Sequence, residues 1–249
     1  MCARRLWSAE RAAPPCDRVR QLPLGVQLGV SLRFETYHEG ANGAAVAGLA
    51  ELVCGVGQAP LWLLGPPGVG KTHLLQACCA LAGQRGLTSA YLPLATTKDM
   101  NPGLLAGLER VDLVALDDID AIAGQAAWER ALFTLYNELL ELGGRLACSA
   151  QMPPAGVNFA LPDLASRLSA CVVQRLQPLA ESDQGIALRR RAAHRGLELP
   201  EETLSYLTRR APRDFAALCR LLDDLDTEAL AAQRKLTVPF VRQVLERSG

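Results

Sequence analysis

A glycine-rich segment between an apolar run and a helical run restricts the fold of this chain more than any other feature. The segment covers residues 65–72 and reads Gly65, Pro66, Pro67, Gly68, Val69, Gly70, Lys71 and Thr72. It fits the phosphate-loop pattern Gly-x-x-x-x-Gly-Lys-Thr, in which backbone N–H groups and a helix N-terminus surround phosphate oxygens. We expect it to bind a purine nucleoside triphosphate or diphosphate, with Lys71 on the phosphates and the Thr72 hydroxyl on Mg²⁺.

Composition limits the class of protein. Hydrophobic residues make up 49% of the 249 residues and charged residues 21%, as in ordinary globular proteins. The 26 basic and 26 acidic residues cancel, so bulk charge does not favour coating of nucleic acid or membrane. The eight cysteines form no Cys-x-x-Cys pair, and no apolar run approaches the roughly 20 residues that span a bilayer. We expect a cytoplasmic protein without a membrane partner.

Strand-like and helical segments alternate from about residue 34, which predicts an α/β fold with a mostly parallel sheet. After Pro178 only helical segments follow, so we expect a small all-helical subdomain at the end. The predicted strands are 61–64, 90–94, 113–116, 145–149 and 171–173, and the predicted helices are 73–81, 128–142, 180–195, 200–210, 214–232 and 237–247.

These patterns divide the chain into four parts. Residues 1–20 are arginine-rich without any period, which fits a flexible tail or a misassigned start equally well. Residues 21–32 form a peptide and linker, residues 33–177 the nucleotide-binding domain, and residues 178–249 the helical lid.

Two aspartates close the third predicted strand. Asp117 and Asp118 follow the apolar run 113–116. P-loop enzymes place at this point the acidic group that organises magnesium and the attacking water. We assign Asp117 to the metal. Asp118 either orients water as a general base or caps the turn as a solvated carboxylate, and the sequence leaves both open.

Several segments resemble the AAA+ ATPase domain of the replication initiator DnaA. The resemblance covers nearly everything from residue 21 onward and is fullest to the Hda family, the DnaA-related regulatory inactivators. It implies an α/β P-loop AAA+ domain with a mostly parallel five-stranded sheet, plus a small all-helical lid. The matching segments are residues 33–37 with Gly40 and Asn42, then 111–120, 149–154, 162–168 and 232–240.

The resemblance also implies roles for single residues. Ser149 and Gln151 fall at the first sensor, which faces the γ-phosphate, although DnaA-type proteins usually carry an aspartate where Gln151 stands. Arg167 matches the arginine finger, which is presented to the nucleotide of a neighbouring subunit. Arg213 matches the second sensor of the lid. The residues alone also allow a strand-end hydroxyl at 149, a surface arginine at 167 and a helix-start arginine at 213.

Residues 21–26 resemble the sliding-clamp-binding peptide at the start of Hda proteins. Gln21 suits a polar niche, and Leu22, Leu24 and Val26 supply apolar side chains for a pocket, as in other extended recognition peptides. The overlapping residues 27–32 fit nearly as well, and a first strand or a linker is the simpler alternative.

We therefore expect a regulator of chromosomal replication initiation that binds ADP or ATP with Mg²⁺, docks on the sliding clamp and stimulates ATP hydrolysis by DnaA. The chain ends at Gly249, which leaves no room for the helix-turn-helix domain of DnaA, so sequence-specific DNA binding is not expected. An autonomous ATPase such as a helicase loader is the rival, because Lys71 and Thr72 stand where many Hda proteins carry an Arg-Ser pair. A non-hydrolysing scaffold is a third hypothesis, and a homo-oligomer stays open.

Overall fold

A computed structural model of the protein describes residues 32–57, 59–210, 215–232 and 236–247. Within these ranges, 3-10 turns at Phe34–Thr36 and Gly40–Asn42 lead into an α/β domain. Its elements are α1 (Gly43–Cys54), β1 (Leu61–Leu64), α2 (Lys71–Gln84), β2 (Ser89–Pro93), α3 (Leu94–Thr97), β3 (Leu113–Asp117), α4 (Ala126–Glu141), β4 (Arg145–Ala150), α5 (Pro162–Leu168) and β5 (Val172–Arg175).

The five strands form one parallel sheet in the order β2-β3-β4-β1-β5. The predicted α/β class with a mostly parallel five-stranded sheet is confirmed. Strand β4 lies between β3 and β1, so the carboxyl ends of these three strands are neighbours. In open α/β sheets this edge is where ligands bind, and it carries the glycine-rich loop and the acidic pair.

Side chains of β1 divide the apolar core into two layers. Leu61 and Leu63 pack with α1 and α2 on one face of the sheet, whereas Trp62 and Leu64 pack with α4 and α5 on the other. All four residues are buried. A parallel strand covered on both faces is apolar throughout rather than alternating, which is why this run was recognisable as a strand.

Four helices follow the sheet and enclose a separate apolar core. They are α6 (Glu181–His194), α7 (Glu201–Arg210), α8 (Phe215–Ala232) and α9 (Val238–Arg247). Leu188, Leu207, Leu222 and Val241 are almost completely buried within this lid. Each helix lies within a residue or two of its predicted bounds, so the expectation of an all-helical lid is confirmed.

The structure differs from the predicted elements in several places, including the following. Leu94 is the first residue of α3 and not the last of β2, because the strand ends at Pro93 on the sheet edge. Helix α1 was not predicted. Helix α2 begins at Lys71, two residues earlier than expected, directly after Gly70 in the left-handed region. Across the described ranges, every helix is too short or too polar to traverse a lipid bilayer.

Asn42 ties the N-terminal segment to the connection that leads into the lid. Its side-chain Nδ2 donates to Tyr37 Oη at 3.1 Å and to the Gln177 carbonyl oxygen at 3.0 Å. Its Oδ1 accepts from the Gln177 backbone N at 2.7 Å. Asn42 is only 5% exposed, so water cannot easily replace these bonds.

We predict that Asn42→Ala lowers the free energy of unfolding by about 1–3 kcal/mol, because the Tyr37 hydroxyl and two partly buried backbone groups of Gln177 lose their partner. Urea unfolding of the full chain measures the change. Asn158→Ala at an exposed asparagine is the control and should stay within about 0.5 kcal/mol of wild type. Equal stability of the two variants would contradict the prediction.

Candidate functional site

The loop after β1 adopts a conformation that requires glycine at two positions. Gly70 has φ +97°, and a Cβ atom there would lie 2.8 Å from Tyr37 Cε2. A Cβ atom at Gly65 would lie 2.9 Å from Val69 Cγ1 and 3.2 Å from the Leu176 carbonyl oxygen. These contacts are too close for any side chain, so the glycines keep the loop tight against the sheet.

Lys71 directs its ammonium group into this loop. The Nζ atom donates to the carbonyl oxygens of Gly65 at 2.8 Å and Pro66 at 3.1 Å. The residue is only 6% exposed. A compact cation held inside a ring of backbone groups is suited to bind phosphate oxygens as a point charge.

The carboxylate of Asp117, which is 2% exposed, collects hydroxyl groups from three other elements. Thr72 Oγ1 of α2 donates to its Oδ2 at 2.6 Å, and Tyr91 Oη of β2 donates to the same oxygen at 2.8 Å. Ser149 Oγ of β4 donates to its Oδ1. The predicted metal residues Thr72 and Asp117 are therefore direct neighbours, and Ser149 binds the acidic group.

Asp118 lies beside this cluster in a strained conformation. Its φ of 52° is the single positive value among non-glycine residues in the described ranges. Its backbone N donates to Ser149 Oγ at 3.0 Å. Burial raises the pKa of the Asp118 carboxyl, the Asp117 carboxylate adds to the rise, and Lys71 opposes it. Strain of this kind is common at functional sites, and aspartate also adopts this conformation in ordinary turns, so the water-orienting role and the turn cap both stay predictions.

The residues present fit a magnesium ion that is shared with a nucleotide. Mg²⁺ prefers oxygen ligands and is usually bound by one or two protein groups together with phosphates and waters. Thr72 and Asp117 supply two such oxygens side by side. No group of three or more His, Cys, Asp or Glu in the described ranges could hold a metal ion alone. Tight binding of the metal would therefore depend on phosphate.

A cleft of about 750 Å³ opens between this loop and the lid. Its volume is in the range of small-molecule sites. The phosphate side is formed by Lys71, Thr72, Asp118 and exposed Gln151, and the lid side by α6 and α8.

The other end of the cleft is formed by the segment before α1. Tyr37 and His38 line it. Burial raises the pKa of Tyr37, whose ring meets the His73 ring edge-on at 5.3 Å. His73 Nε2 donates to the Arg33 carbonyl oxygen at 3.0 Å, and burial lowers the pKa of His73 to about 4. His73 is therefore neutral at physiological pH and acts as a structural donor.

An ion-pair network forms the lid wall of the cleft. Arg191 of α6 binds Asp223 of α8 through Nε and Nη2 at 3.0–3.3 Å. Arg195 Nη1 lies 2.9 Å from Asp223 and 3.3 Å from Asp226. Arg191 and Asp223 both line the cleft, so this network places charge opposite the loop. No local sequence pattern predicted it.

Of two further residues from the sequence analysis, Gln151 lines the cleft whereas Arg167 does not. Arg167 is exposed in the last turn of α5, and it is absent from the described lining of the cleft. Gln151 donates its backbone N–H to Asp120 at 3.2 Å. Arg213 and the clamp-peptide residues Gln21, Leu22, Leu24 and Val26 lie outside the described residues, so their assignments stay predictions.

The chain matches one family model and, over most of its length, several solved structures. Residues 181–245 match the family model described as the Hda lid domain. Domain III of the replication initiation protein DnaA from Thermotoga maritima has a TM-score of 0.72 and 22% identity, with 88% of this chain and 97% of that chain covered. AMPPCP-bound DnaA from Aquifex aeolicus has a TM-score of 0.65 and 22% identity, covering 82% of this chain and 68% of that chain.

A branch-migration motor shares the same fold. RuvB from Thermotoga maritima, a Holliday junction branch migration motor, has a TM-score of 0.56 and 17% identity, with 82% of this chain and 68% of that chain covered. Initiators and motors therefore both match the fold of this chain. The Hda match of the lid is the more specific finding.

We predict that Gly70→Ala abolishes nucleotide binding, because its Cβ would collide with Tyr37 and displace the loop. Titration with a fluorescent nucleotide and Mg²⁺ measures the affinity. Gly107→Ala is a matched control, since Gly107 has φ +88° but a Cβ atom there would meet no other atom within 4 Å. It carries a similar backbone strain of about 1–2 kcal/mol and should bind like wild type. Unchanged binding by Gly70→Ala would refute the assignment of the loop.

Proposed function

We propose that this chain, which is a DnaA-related, Hda-like AAA+ protein, regulates the initiation of chromosomal replication. It binds ADP or ATP with Mg²⁺ in its own cleft, docks on the DNA sliding clamp, and stimulates hydrolysis of the ATP bound to the initiator DnaA. The active initiator is thereby converted to its ADP form.

The observation that carries this proposal is the position of Arg167. Its side chain is exposed on α5 and is not part of the described cleft of its own chain. No carboxylate in the described ranges forms an ion pair with it. An unpaired guanidinium outside its own site is suited to act on the nucleotide of a neighbour. It is always charged and binds phosphate with a planar fork of donors.

The chain's own site supports a bound nucleotide. The loop at 65–70, the inward-pointing Lys71 and the adjacent Thr72 and Asp117 oxygens supply a phosphate and magnesium site. The AMPPCP-bound Aquifex aeolicus DnaA shares this fold. Arg213 is proposed as the second sensor, which lets the lid respond to this nucleotide.

In the proposed reaction the chemistry takes place on the partner's ATP. As water attacks the γ-phosphorus and the bond to the β-phosphate oxygen breaks, negative charge is spread over the transferring phosphoryl group. Arg167 donates hydrogen bonds to that charge. Arginine fingers accelerate such reactions by about 10³–10⁵-fold. The nucleotide held by Lys71 sets the conformation of this chain.

Docking on the clamp concentrates the protein near initiators bound to DNA. Residues 21–26, with Gln21 as the polar anchor and Leu22, Leu24 and Val26 as apolar contacts, are the proposed clamp peptide. Self-association through the same surface that meets DnaA is a further expectation, because AAA+ fingers act between subunits.

One group of observations favours an autonomous ATPase as the second candidate. Lys71, Thr72 and Asp118 line one cleft, and Thr72 binds Asp117 directly behind it, so the residue types that hydrolysis uses lie together in this chain. In that case turnover by the chain itself is its activity, as in a helicase loader. The two candidates differ in which ATP is hydrolysed: that of DnaA, with Arg167 as the decisive residue, or the chain's own, with Lys71.

We predict that Arg167→Ala removes stimulation of DnaA-bound ATP hydrolysis, by about 10³-fold or more. The assay contains DnaA preloaded with ATP, clamp loaded on DNA, and this protein. Arg130→Ala removes another exposed arginine, on the neighbouring helix α4, and should stimulate like wild type. The proposal is wrong if Arg167→Ala stimulates fully while Lys71→Ala abolishes stimulation together with self-hydrolysis.

We also predict that the double variant Gln21→Ala and Leu24→Ala loses binding to the clamp, because it removes the polar anchor and a pocket side chain. Pull-down of full-length protein by immobilised clamp measures binding. Gln27→Ala with Val30→Ala changes the overlapping alternative and should bind normally. If this second variant loses binding instead, the peptide lies at 27–32, and undiminished binding of both removes the clamp assignment.

A further inference from the structure

The short helix α5 is attached to α4 at both of its ends. Helix α5 spans only Pro162–Leu168, too short to hold its own position. Glu129 and Tyr136 lie about two helical turns apart on α4 and therefore on one face of it. Both side chains are buried, and each forms a hydrogen bond with the segment that carries Arg167.

Glu129 binds the start of α5. Its side chain is fully buried at 0% exposure. Carboxylate Oε1 accepts from the backbone N of Ala160 at 3.0 Å, and Oε2 accepts from the backbone N of Leu161 at 2.7 Å. Leu161 is the residue directly before α5, so the carboxylate determines where the helix begins.

The same carboxylate binds the segment that leaves the nucleotide site. Oε1 also accepts from the backbone N of Gly124 at 2.6 Å. Gly124 follows the turn Ile119–Ile122, which begins directly after Asp118. One side chain therefore links the end of the acidic loop to the start of the finger helix.

Tyr136 binds the end of α5 at the finger residue itself. Its hydroxyl donates to the carbonyl oxygen of Arg167 at 3.2 Å, and the side chain is 5% exposed. The same carbonyl also accepts from the backbone N of Ala170 at 3.1 Å. If the Tyr136 bond were lost, the Arg167 carbonyl oxygen would still accept a hydrogen bond from Ala170, and α5 would still end at the same residue.

A buried carboxylate is an expensive way to stabilise a fold. Glu129 forms no ion pair with any described cation, so three backbone N–H groups alone compensate for its lost hydration. Apolar residues fill comparable positions elsewhere on α4, such as Leu132 and Leu139. Unlike an apolar side chain, the Glu129 carboxylate forms directional hydrogen bonds to two loops.

We propose that Glu129 and Tyr136 are positioning residues for Arg167, which orient the finger and connect it to the acidic loop of the chain's own nucleotide site. This inference rests on the proposed function of Arg167. Neither residue contacts a nucleotide. Their effect is on the geometry of the guanidinium, and a displacement of about 1 Å can cost on the order of 10²-fold in rate.

The experiment measures stimulation of DnaA-bound ATP hydrolysis as a function of the concentration of this protein, with clamp on DNA. Tyr136→Phe removes one hydroxyl and leaves the ring in place. Glu129→Gln places an amide NH₂ group, which is a donor, opposite the backbone N–H of Leu161, so that hydrogen bond is lost. Ser169→Ala is the control, because the Ser169 hydroxyl bonds to Ala165 within the same short segment and not to α4.

The expected result is a lower maximal rate with an unchanged half-saturating concentration. Tyr136→Phe should reduce the maximum roughly tenfold, as expected for one lost hydrogen bond, and Glu129→Gln by more. Ser169→Ala should match wild type. In the Arg167→Ala background neither change should reduce the rate further, because residues that act through one group are not additive.

Other outcomes distinguish the positioning role of Glu129 and Tyr136 from the proposed function of Arg167. Full stimulation by Tyr136→Phe and Glu129→Gln, with loss in Arg167→Ala, would overturn the positioning role and leave the proposed function intact. Equal slowing in the Arg167→Ala background would also overturn it. Full stimulation by Arg167→Ala would overturn the proposed function first. If Glu129→Gln does not fold, Tyr136→Phe alone decides.

Discussion

The carboxylate of Asp117 is the interaction on which the nucleotide site depends. A buried carboxylate must be compensated by donors, and its donors come from Thr72, Tyr91 and Ser149 on three different elements. This arrangement aligns the phosphate-binding helix with two strands of the sheet. If Thr72 and Asp117 hold magnesium as proposed, the Thr72 hydroxyl is already oriented before the ion and phosphates bind, and little reorganisation would be needed.

A series of contacts connects Asp117 to a second, outward-facing residue, Arg167. The acidic loop after Asp117 leads to Gly124, Gly124 is bound by Glu129, and Glu129 also binds the start of α5. Arg167 lies at the other end of α5. In the proposed function, one domain holds a nucleotide in its own cleft and presents the Arg167 cation to the nucleotide of a partner. The proposed function uses both sites.

Part of the fold and of the nucleotide site could be predicted from the sequence, because the residues that form it are close together in the chain. The loop at 65–72 combines glycines, a lysine and a threonine in eight residues, and β1 is apolar because both of its faces are covered. Asp117 follows an apolar strand directly. Patterns of this kind need no knowledge of distant contacts, and the parallel sheet and helical lid follow from the order of such segments.

The remainder depends on contacts between distant residues. Glu129 binds Leu161 and Arg191 binds Asp223, each pair separated by 32 positions, and nothing in the sequence near either residue indicates its partner. Glu129 looks like a surface residue of an amphipathic helix but is fully buried. Leu94 was assigned to a strand because its side chain is apolar. The position of Pro93 on the sheet edge ended that strand one residue earlier.

In the proposed function the decisive hydrolysis takes place on a partner's nucleotide. The most direct measurement loads DnaA with γ-labelled ATP, removes free nucleotide, and adds this protein with unlabelled ATP and clamp on DNA. Wild-type protein should cause rapid release of labelled phosphate, and Arg167→Ala should lose that release. Labelled ATP that stays intact on DnaA while this chain consumes its own unlabelled ATP would contradict the account.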